Sequence, residues 1–366
     1  MNYQIGFVVE ETLGHKTFSN NLRTRVAQDP EITPTWMPIE FDNPAGRYPV
    51  VGRNYSFRAS YHARKLATEA AREHPINAFF YHTQITTLFS NRLMRAIPSI
   101  ISLDATPINY DSVGSGYNHA SKPGSLGEKV KFAINQRAFR VCRRLVTWSQ
   151  WAKDSLVNDY GIGDDKVQVL SPGVDLSLWA EVGVDRAEPG PRPKILFVGG
   201  DFKRKGGPLL LDVFRRHFRD SAELHLVTAE AIPPEPNVFV YNHFGSNAEG
   251  LRRLFHEADL FALPTLADVS SLASMEAMAA RLPVVVSAVG GIPELVEEGR
   301  SGFLIPENDG EQLRQRLETL IHDPGRRRAM GERGRMIAVD RFDARKNGRA
   351  ILDLLKRIAR PTPGRA

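Results

Sequence analysis

With 366 residues, 42% apolar and 25% charged, the chain is too long for one ordinary domain and fits two of roughly 150–200 residues, each able to bury a core. Its single cysteine, Cys142, excludes a disulfide framework and a cysteine metal cluster and makes a reducing, cytoplasmic location the expectation. The net charge of +6 and pI near 9.4 leave open where the excess of base lies and what it meets.

The chain opens with Tyr3-Gln4-Ile5-Gly6-Phe7-Val8-Val9, an apolar strand without the charged start and long apolar core of a signal peptide. Gly14-His15-Lys16 follows the strand and precedes a helix predicted near 17–28; Gly14 would open a cleft there, and His15 could touch an acceptor or a phosphate. A lone loop histidine is also an ordinary surface residue. Further helices are predicted near 56–74, 125–142 and 151–159, and strands near 78–82, 98–103, 144–148 and 167–170. This alternation predicts parallel strands joined by helical crossovers. No apolar run approaches the roughly 18–20 residues needed to span a bilayer, so any membrane contact is expected to be peripheral.

Between Lys122 and Arg144 stand Lys129, Lys131, Arg137, Arg140 and Arg143, opposed by Glu128 alone. Val130, Ala133, Ile134, Ala138, Phe139 and Val141 recur there at near-helical spacing, which predicts a basic amphipathic helix. A solvated surface and contact with an anionic membrane are the two uses that fit. Nucleic acid fits less well, because no binding motif and little aromatic interleaving accompany the charge.

Glu181 to Pro193 is rich in proline and glycine and reads as a linker. Strands near 194–198, 223–227, 237–241, 259–263 and 283–287 then build a second α/β set. The expected organisation is α/β with two Rossmann-like domains facing across a cleft: a first domain over 1–180, the linker 181–193, a second domain over 194–343, and a final helix in 344–366 packing back on the first domain.

Three loops of the second set carry the chemistry. The first, Gly199-Gly200-Asp201-Phe202-Lys203-Arg204-Lys205-Gly206-Gly207, places three consecutive cations among four glycines at a helix entrance, a pattern suited to a diphosphate. In the second, Asp268 and Glu276 are separated by seven residues, with Ser271 at the mouth of a helix and Leu272 after it. That spacing offers one carboxylate to sugar hydroxyls and one to a ribose, with helix-start amides facing phosphate. In the third, Gly290 and Gly291 precede Pro293, which fits the first position of a helix stopping at Gly299, so this loop is a further anion seat or simply a tight turn. Neither glycine pair forms a complete dinucleotide fingerprint, and no carboxylates or histidines cluster with metal-ligand spacing.

Taken as a set, these motifs resemble the retaining GT-B glycosyltransferases of family 4, over most of residues 140–345. The matches are Val198 to Gly206, Pro264 to Pro283, Gly290 to Glu294 and Gly302 to Pro306, with weaker ones at Ser149 to Asp154 and Pro172 to Asp175. The resemblance implies transfer of a hexose from a nucleotide sugar to a saccharide, lipid-linked or small-molecule acceptor, with retention and without metal or bound cofactor. It implies that Lys205 binds the donor diphosphate, Glu276 the ribose and Asp268 the sugar hydroxyls, with amides near Ser271, Leu272, Gly290 and Gly291 completing the donor site.

Three departures from the family pattern stand out. Asp268 replaces a usual glutamate. Gly200 replaces a usual arginine, leaving Lys203 or Arg204 to supply a second cation. Asp104, after the strand Ser99 to Leu103, replaces a usual histidine, so Asp104, His82 and His119 are the cleft candidates beside Gly14 and His15. A nucleotide-sugar epimerase of similar build and a non-catalytic homologue are the rival readings.

Overall fold

The computed structural model describes residues 2–11, 15–40, 54–117, 124–179, 192–245 and 247–360. Gly14, His119 and all but the last two residues of the 181–193 linker lie outside them. The chain divides into two compact units: Met1–Asp111, Ser121–Pro172 and Ala344–Ala366 form one, Ser112–Ala120 and Gly173–Asp343 the other.

In the first unit, strands β1 (Tyr3–Glu10), β2 (Ile32–Ile39), β3 (Ala78–His82), β4 (Ser99–Leu103), β5 (Arg144–Thr147) and β6 (Val167–Val169) form a parallel sheet ordered β2-β1-β3-β4-β5-β6. The sequence reading missed β2. Its two prolines, Pro34 and Pro38, argue against a strand, but β2 is the sheet edge, where a missing N–H costs no ladder bond on the open side. The intervening helices are α1 (His15–Ala27), α2 (Tyr55–Glu73), α3 (Asn91–Ala96), α4 (Pro107–Ser112), α5 (Leu126–Val141) and α6 (Gln150–Asn158).

Alternation along the strands feeds two apolar layers. Val8, Phe79, Tyr81, Ile101 and Leu145 pack under α2, whose Ala59, Ala63, Ala67 and Ala70 form a small-residue stripe that lets the helix lie close to the sheet. Ile5, Phe7, Phe80, Ile100 and Val146 pack on the other face with Phe18, Leu22 and Val26 of α1.

The second unit contains β7 (Lys194–Val198), α7 (Gly207–His217), β8 (Glu223–Val227), β9 (Val238–Tyr241), α8 (Glu249–Glu257), β10 (Leu260–Leu263), α9 (Leu272–Ala279), β11 (Val284–Ser287), β12 (Gly302–Ile305), α10 (Gly310–His322) and α11 (Pro324–Arg341). Its parallel sheet is ordered β12-β11-β10-β7-β8-β9. The last helix, α12 (Ala344–Ile358), belongs to the first unit, where Ile351, Leu352, Leu354 and Leu355 join the layer formed with α1. Lys356 fastens it by ion pairs to Asp29 at 2.9 Å and Glu31 at 2.6 Å.

Two local expectations are corrected. The helix expected from Pro293 to Gly299 is only the single 3-10 turn Ile292–Glu294. The chain must reverse at once to enter β12: the Gly299 amide donates to the Gly302 carbonyl at 2.8 Å, and the Arg300 and Ser301 amides both donate to Glu297. In α5 the apolar positions do not share one face. Ala138 and Phe139 are buried, whereas Val130 and Ala133 point to solvent beside Lys129, Arg137 and Arg140.

Candidate functional site

Strand order assembles the site in the second unit. β10 lies between β7 and β11, all parallel, so the loops leaving their C-terminal ends emerge side by side, where open α/β sheets place ligands. These are the loops around 199–206, 264–271 and 288–294.

The first two interlock through the backbone. The Leu266 amide donates to the Arg204 carbonyl at 2.9 Å, and the Thr265 hydroxyl donates to the same oxygen at 3.1 Å. Gly206 caps α7 with φ +78°, and a Cβ there would lie 1.8 Å from the Pro264 carbonyl oxygen, so glycine is needed for both conformation and approach. Gly290 plays the same part on the other side, with φ +56° and a Cβ position 2.1 Å from the Asp268 carbonyl oxygen.

This scaffold pairs Lys205 Nζ with Asp268 Oδ2, both largely buried. Gly199 allows it, since a Cβ there would sit 2.9 Å from the Lys205 stem. Arg204 is committed elsewhere. Its Nη1 donates to the Ala267 carbonyl at 2.9 Å, its Nε pairs with Asp201 at 3.2 Å, and its guanidinium lies 4.6 Å from the Tyr117 ring centroid. These three contacts hold the loop in shape. Lys203 is exposed and has no ion-pair partner among the described residues. Gly200 faces open space, with nothing within 4 Å of a Cβ. Tyr117 gave no signal in the sequence, because it comes from the connection between α4 and α5 and joins the loop only through tertiary packing.

Ser271 caps α9, its hydroxyl accepting from the Ser274 amide at 3.2 Å. The Leu272 and Ala273 amides, in the first turn, have no backbone acceptor among the described residues. The Gly291 amide donates to the Val269 carbonyl at 3.1 Å. Glu276 stands about one turn inside α9, which begins at Leu272. Its carboxyl is buried without a hydrogen-bond or ion-pair partner among the described residues, and burial pushes it up to about 8.

The first unit gathers a second cluster at the C-terminal edge of its own sheet. His82 ends β3, Asp104 follows β4, Trp148 follows β5 and His15 opens α1. His15 Nδ1 lies 2.9 Å from His82 Nε2, and His15 Nε2 lies 3.7 Å from Asp104 Oδ2. The fully buried His82 ring stacks on Trp148 at 5.4 Å. Burial holds His82 well below the usual histidine range, and neighbouring His15 acts in the same direction. Burial raises the Asp104 carboxyl, His15 opposes that shift and Glu10 adds to it. Glu10 was missed by the sequence reading, although an acid ending an apolar strand is a visible signal; it accepts from Tyr55 at 2.8 Å and Thr83 at 2.6 Å. Among the described residues no group of three or more His, Cys, Asp or Glu could hold a metal ion, and no helix is long and apolar enough to cross a membrane.

Two family profiles match: Glycosyl transferases group 1 over residues 192–323 and Glycosyltransferase Family 4 over 26–178, together most of the chain. Alpha-maltose-1-phosphate synthase of Mycolicibacterium smegmatis is 25% identical over 320 residues, covering 76% of this chain and 78% of that protein. D-inositol 3-phosphate glycosyltransferase of Corynebacterium kroppenstedtii is 27% identical over 247 residues, 60% of this chain and 54% of its own length. In fold, sucrose-phosphate synthase of Thermosynechococcus elongatus superposes with a TM-score of 0.79 at 14% identity, covering 98% of this chain and 99% of that one. HepE of Anabaena superposes with a TM-score of 0.71 at 16% identity, covering 97% and 100%. With two six-stranded parallel sheets and these matches across both halves, the chain belongs to the group 1 glycosyltransferases of GT-B type, family 4.

Proposed function

We propose that this glycosyltransferase moves a hexose from a nucleotide sugar to an acceptor hydroxyl with retention of anomeric configuration and without a metal ion. The observation that carries this reading is the convergence of the Lys205, Asp268 and Gly290 loops with buried Glu276 on α9, at one edge of the second sheet. HepE, which shares the fold, was solved with UDP and with UDP-glucose, which supports a nucleotide-sugar donor.

In this reading the donor diphosphate takes Lys205 from Asp268, and exposed Lys203 adds the second positive charge. The Leu272 and Ala273 amides at the start of α9, which have no backbone acceptor among the described residues, receive phosphate oxygens. Asp268, released from the lysine, accepts hydrogen bonds from sugar hydroxyls. Glu276 accepts from the ribose, which favours its ionised form. As the bond to the diphosphate breaks, charge grows on the leaving phosphate, where preorganised lysines and amides stabilise it most. The acceptor hydroxyl attacks from the same face and its proton passes to the leaving phosphate, so the scheme needs no protein nucleophile.

The acceptor is a saccharide, a lipid-linked saccharide or a small polyol, and the work is placed in the cytoplasm, peripherally at a membrane. Along the outer face of α5, Leu126, Lys129, Val130, Ala133, Arg137 and Arg140 form one exposed stripe, which combines apolar contact with positive charge. Calorimetry with UDP-, GDP- and ADP-sugars tests the core of the proposal. One preferred donor is expected, with binding lost in Lys205→Ala, and wild-type affinity in that variant would remove the site assignment.

A further inference from the structure

A cavity of about 480 Å³ opens at the N-terminal edge of the second sheet, the edge opposite the loops around 199–206, 264–271 and 288–294. Gly299 and Arg300, which lead into β12, line it together with the cap Asp323 and with Arg326, Met330 and Arg333 of α11. Arg327 fixes this end of α11 to the sheet. It donates to the Leu320 and Ile321 carbonyls at 2.6 and 2.9 Å and lies 3.6 Å from Asp259, which precedes β10. Three guanidinium groups thus share one cavity, in two different states. Arg333 is held by Glu297, to which its Nε donates at 2.7 Å and its Nη2 donates as well. Arg300 stands 3.7 Å from Glu297, and Arg326 stands 3.7 Å from Asp323. Those separations are too long for hydrogen bonds, so among the described residues the N–H donors of both side chains are unspent. Asp323 has committed one oxygen to the Arg326 amide at 2.8 Å, and the Gly325 amide in the same turn has no backbone acceptor among the described residues. A Cβ at Gly299 would meet nothing within 4 Å, which leaves the entrance open on that side.

We propose that this cavity binds a phosphate monoester of a small molecule, at a site separate from the donor loops. Guanidinium forks match the oxygens of a phosphate, and the three here outnumber the carboxylates of Asp323 and Glu297 by one. The volume falls within the roughly 300–1,000 Å³ of small-molecule sites and exceeds what a bare phosphate fills. Buried Met330 floors the remainder, which leaves room for a compact organic body. The assignment stands independently of the transferase reading, since neither Lys205, Asp268 nor Glu276 lines the cavity.

The test is calorimetry on the full chain at low salt, where exposed arginines are least screened. The probes are glucose 6-phosphate, glycerol 3-phosphate, inorganic phosphate and glucose. The two esters are expected to bind, more tightly than inorganic phosphate, and glucose is expected not to bind. Arg300→Ala and Arg326→Ala should each weaken the esters by about tenfold. Arg328→Ala, exposed on the same helix but outside the cavity, should leave them unchanged. All three side chains are exposed, so the variants should melt like wild type, which separates lost binding from lost folding. Affinity for UDP-glucose should be the same in Arg300→Ala and Arg326→Ala as in wild type, which separates this cavity from the donor loops. Ester binding that survives both substitutions, that is no tighter than inorganic phosphate, or that is absent at millimolar concentration overturns the proposal. Failure of UDP-glucose and the other nucleotide sugars to bind wild type removes the transferase reading alone, and the ester response still decides this site.

Discussion

Lys205 and Asp268 form an ion pair across two loops although they stand 63 positions apart in the chain. Asp268 is only 4% exposed, so removing the lysine leaves a carboxylate with little water to replace it. Lys205→Ala is therefore expected to cost roughly 2–4 kcal/mol in unfolding free energy as well as donor affinity. Adding Asp268→Asn to that variant should restore part of the stability and none of the affinity. Denaturant unfolding of the two single variants and the double variant measures the coupling, and simple additivity would show that the pair is not energetically real.

Glu276 makes stability fall with pH. Its carboxyl titrates near 4.5 when unfolded and at about 8 when folded, so across that interval the folded state holds a proton that the unfolded chain has released. The contribution is fully present below pH 4.5 and is lost as pH rises through about 8. Glu276→Gln should thus melt like wild type at low pH and above it on the alkaline side of that range. Donor binding should release a proton at neutral pH, read as a dependence of calorimetric enthalpy on buffer ionisation, and the glutamine variant should lose it.

Glycine positions in the same loops should respond in opposite ways. Gly206→Ala places a methyl group against the Pro264 carbonyl at positive φ and is expected to destabilise by more than about 2 kcal/mol. Gly200→Ala, facing open space, should stay within about 0.5 kcal/mol. Thermal melting of both proteins checks the contrast; equal losses would mean that the loops do not interlock as described.

The α5 stripe predicts salt-sensitive adhesion to vesicles containing anionic lipid and none to neutral ones. Reversing Arg137 and Arg140 to glutamate should abolish co-sedimentation with anionic vesicles while the melting temperature changes little, since both side chains are exposed. Retained binding would move the contact to another surface.

Much of this architecture is legible locally. The β/α alternation, the glycine and cation run before α7, and Ser271 as a cap all depend on spacing within a few residues, which the sequence displays directly. Errors arose where a distant neighbour sets the outcome. Pro34 and Pro38 deny a strand until β2 is known to be an edge, and Pro293 begins a helix only if the chain need not turn back into β12.

The candidate site divides along the same line. Residue chemistry by itself suggested that Lys205, Asp268 and Glu276 could serve a nucleotide sugar and that His15 could touch a ligand, while the family resemblance added His82 and Asp104. Tertiary structure alone decided that Lys205 meets Asp268, that Arg204 is spent on Ala267, Asp201 and Tyr117, and that His15 stands between His82 and Asp104. In chain order β10 follows β9, yet it lies beside β7, and this adjacency brings the two loops together. Periodicity and capping act over one or two turns, whereas strand adjacency is selected by burial of the whole apolar layer, to which residues throughout the domain contribute.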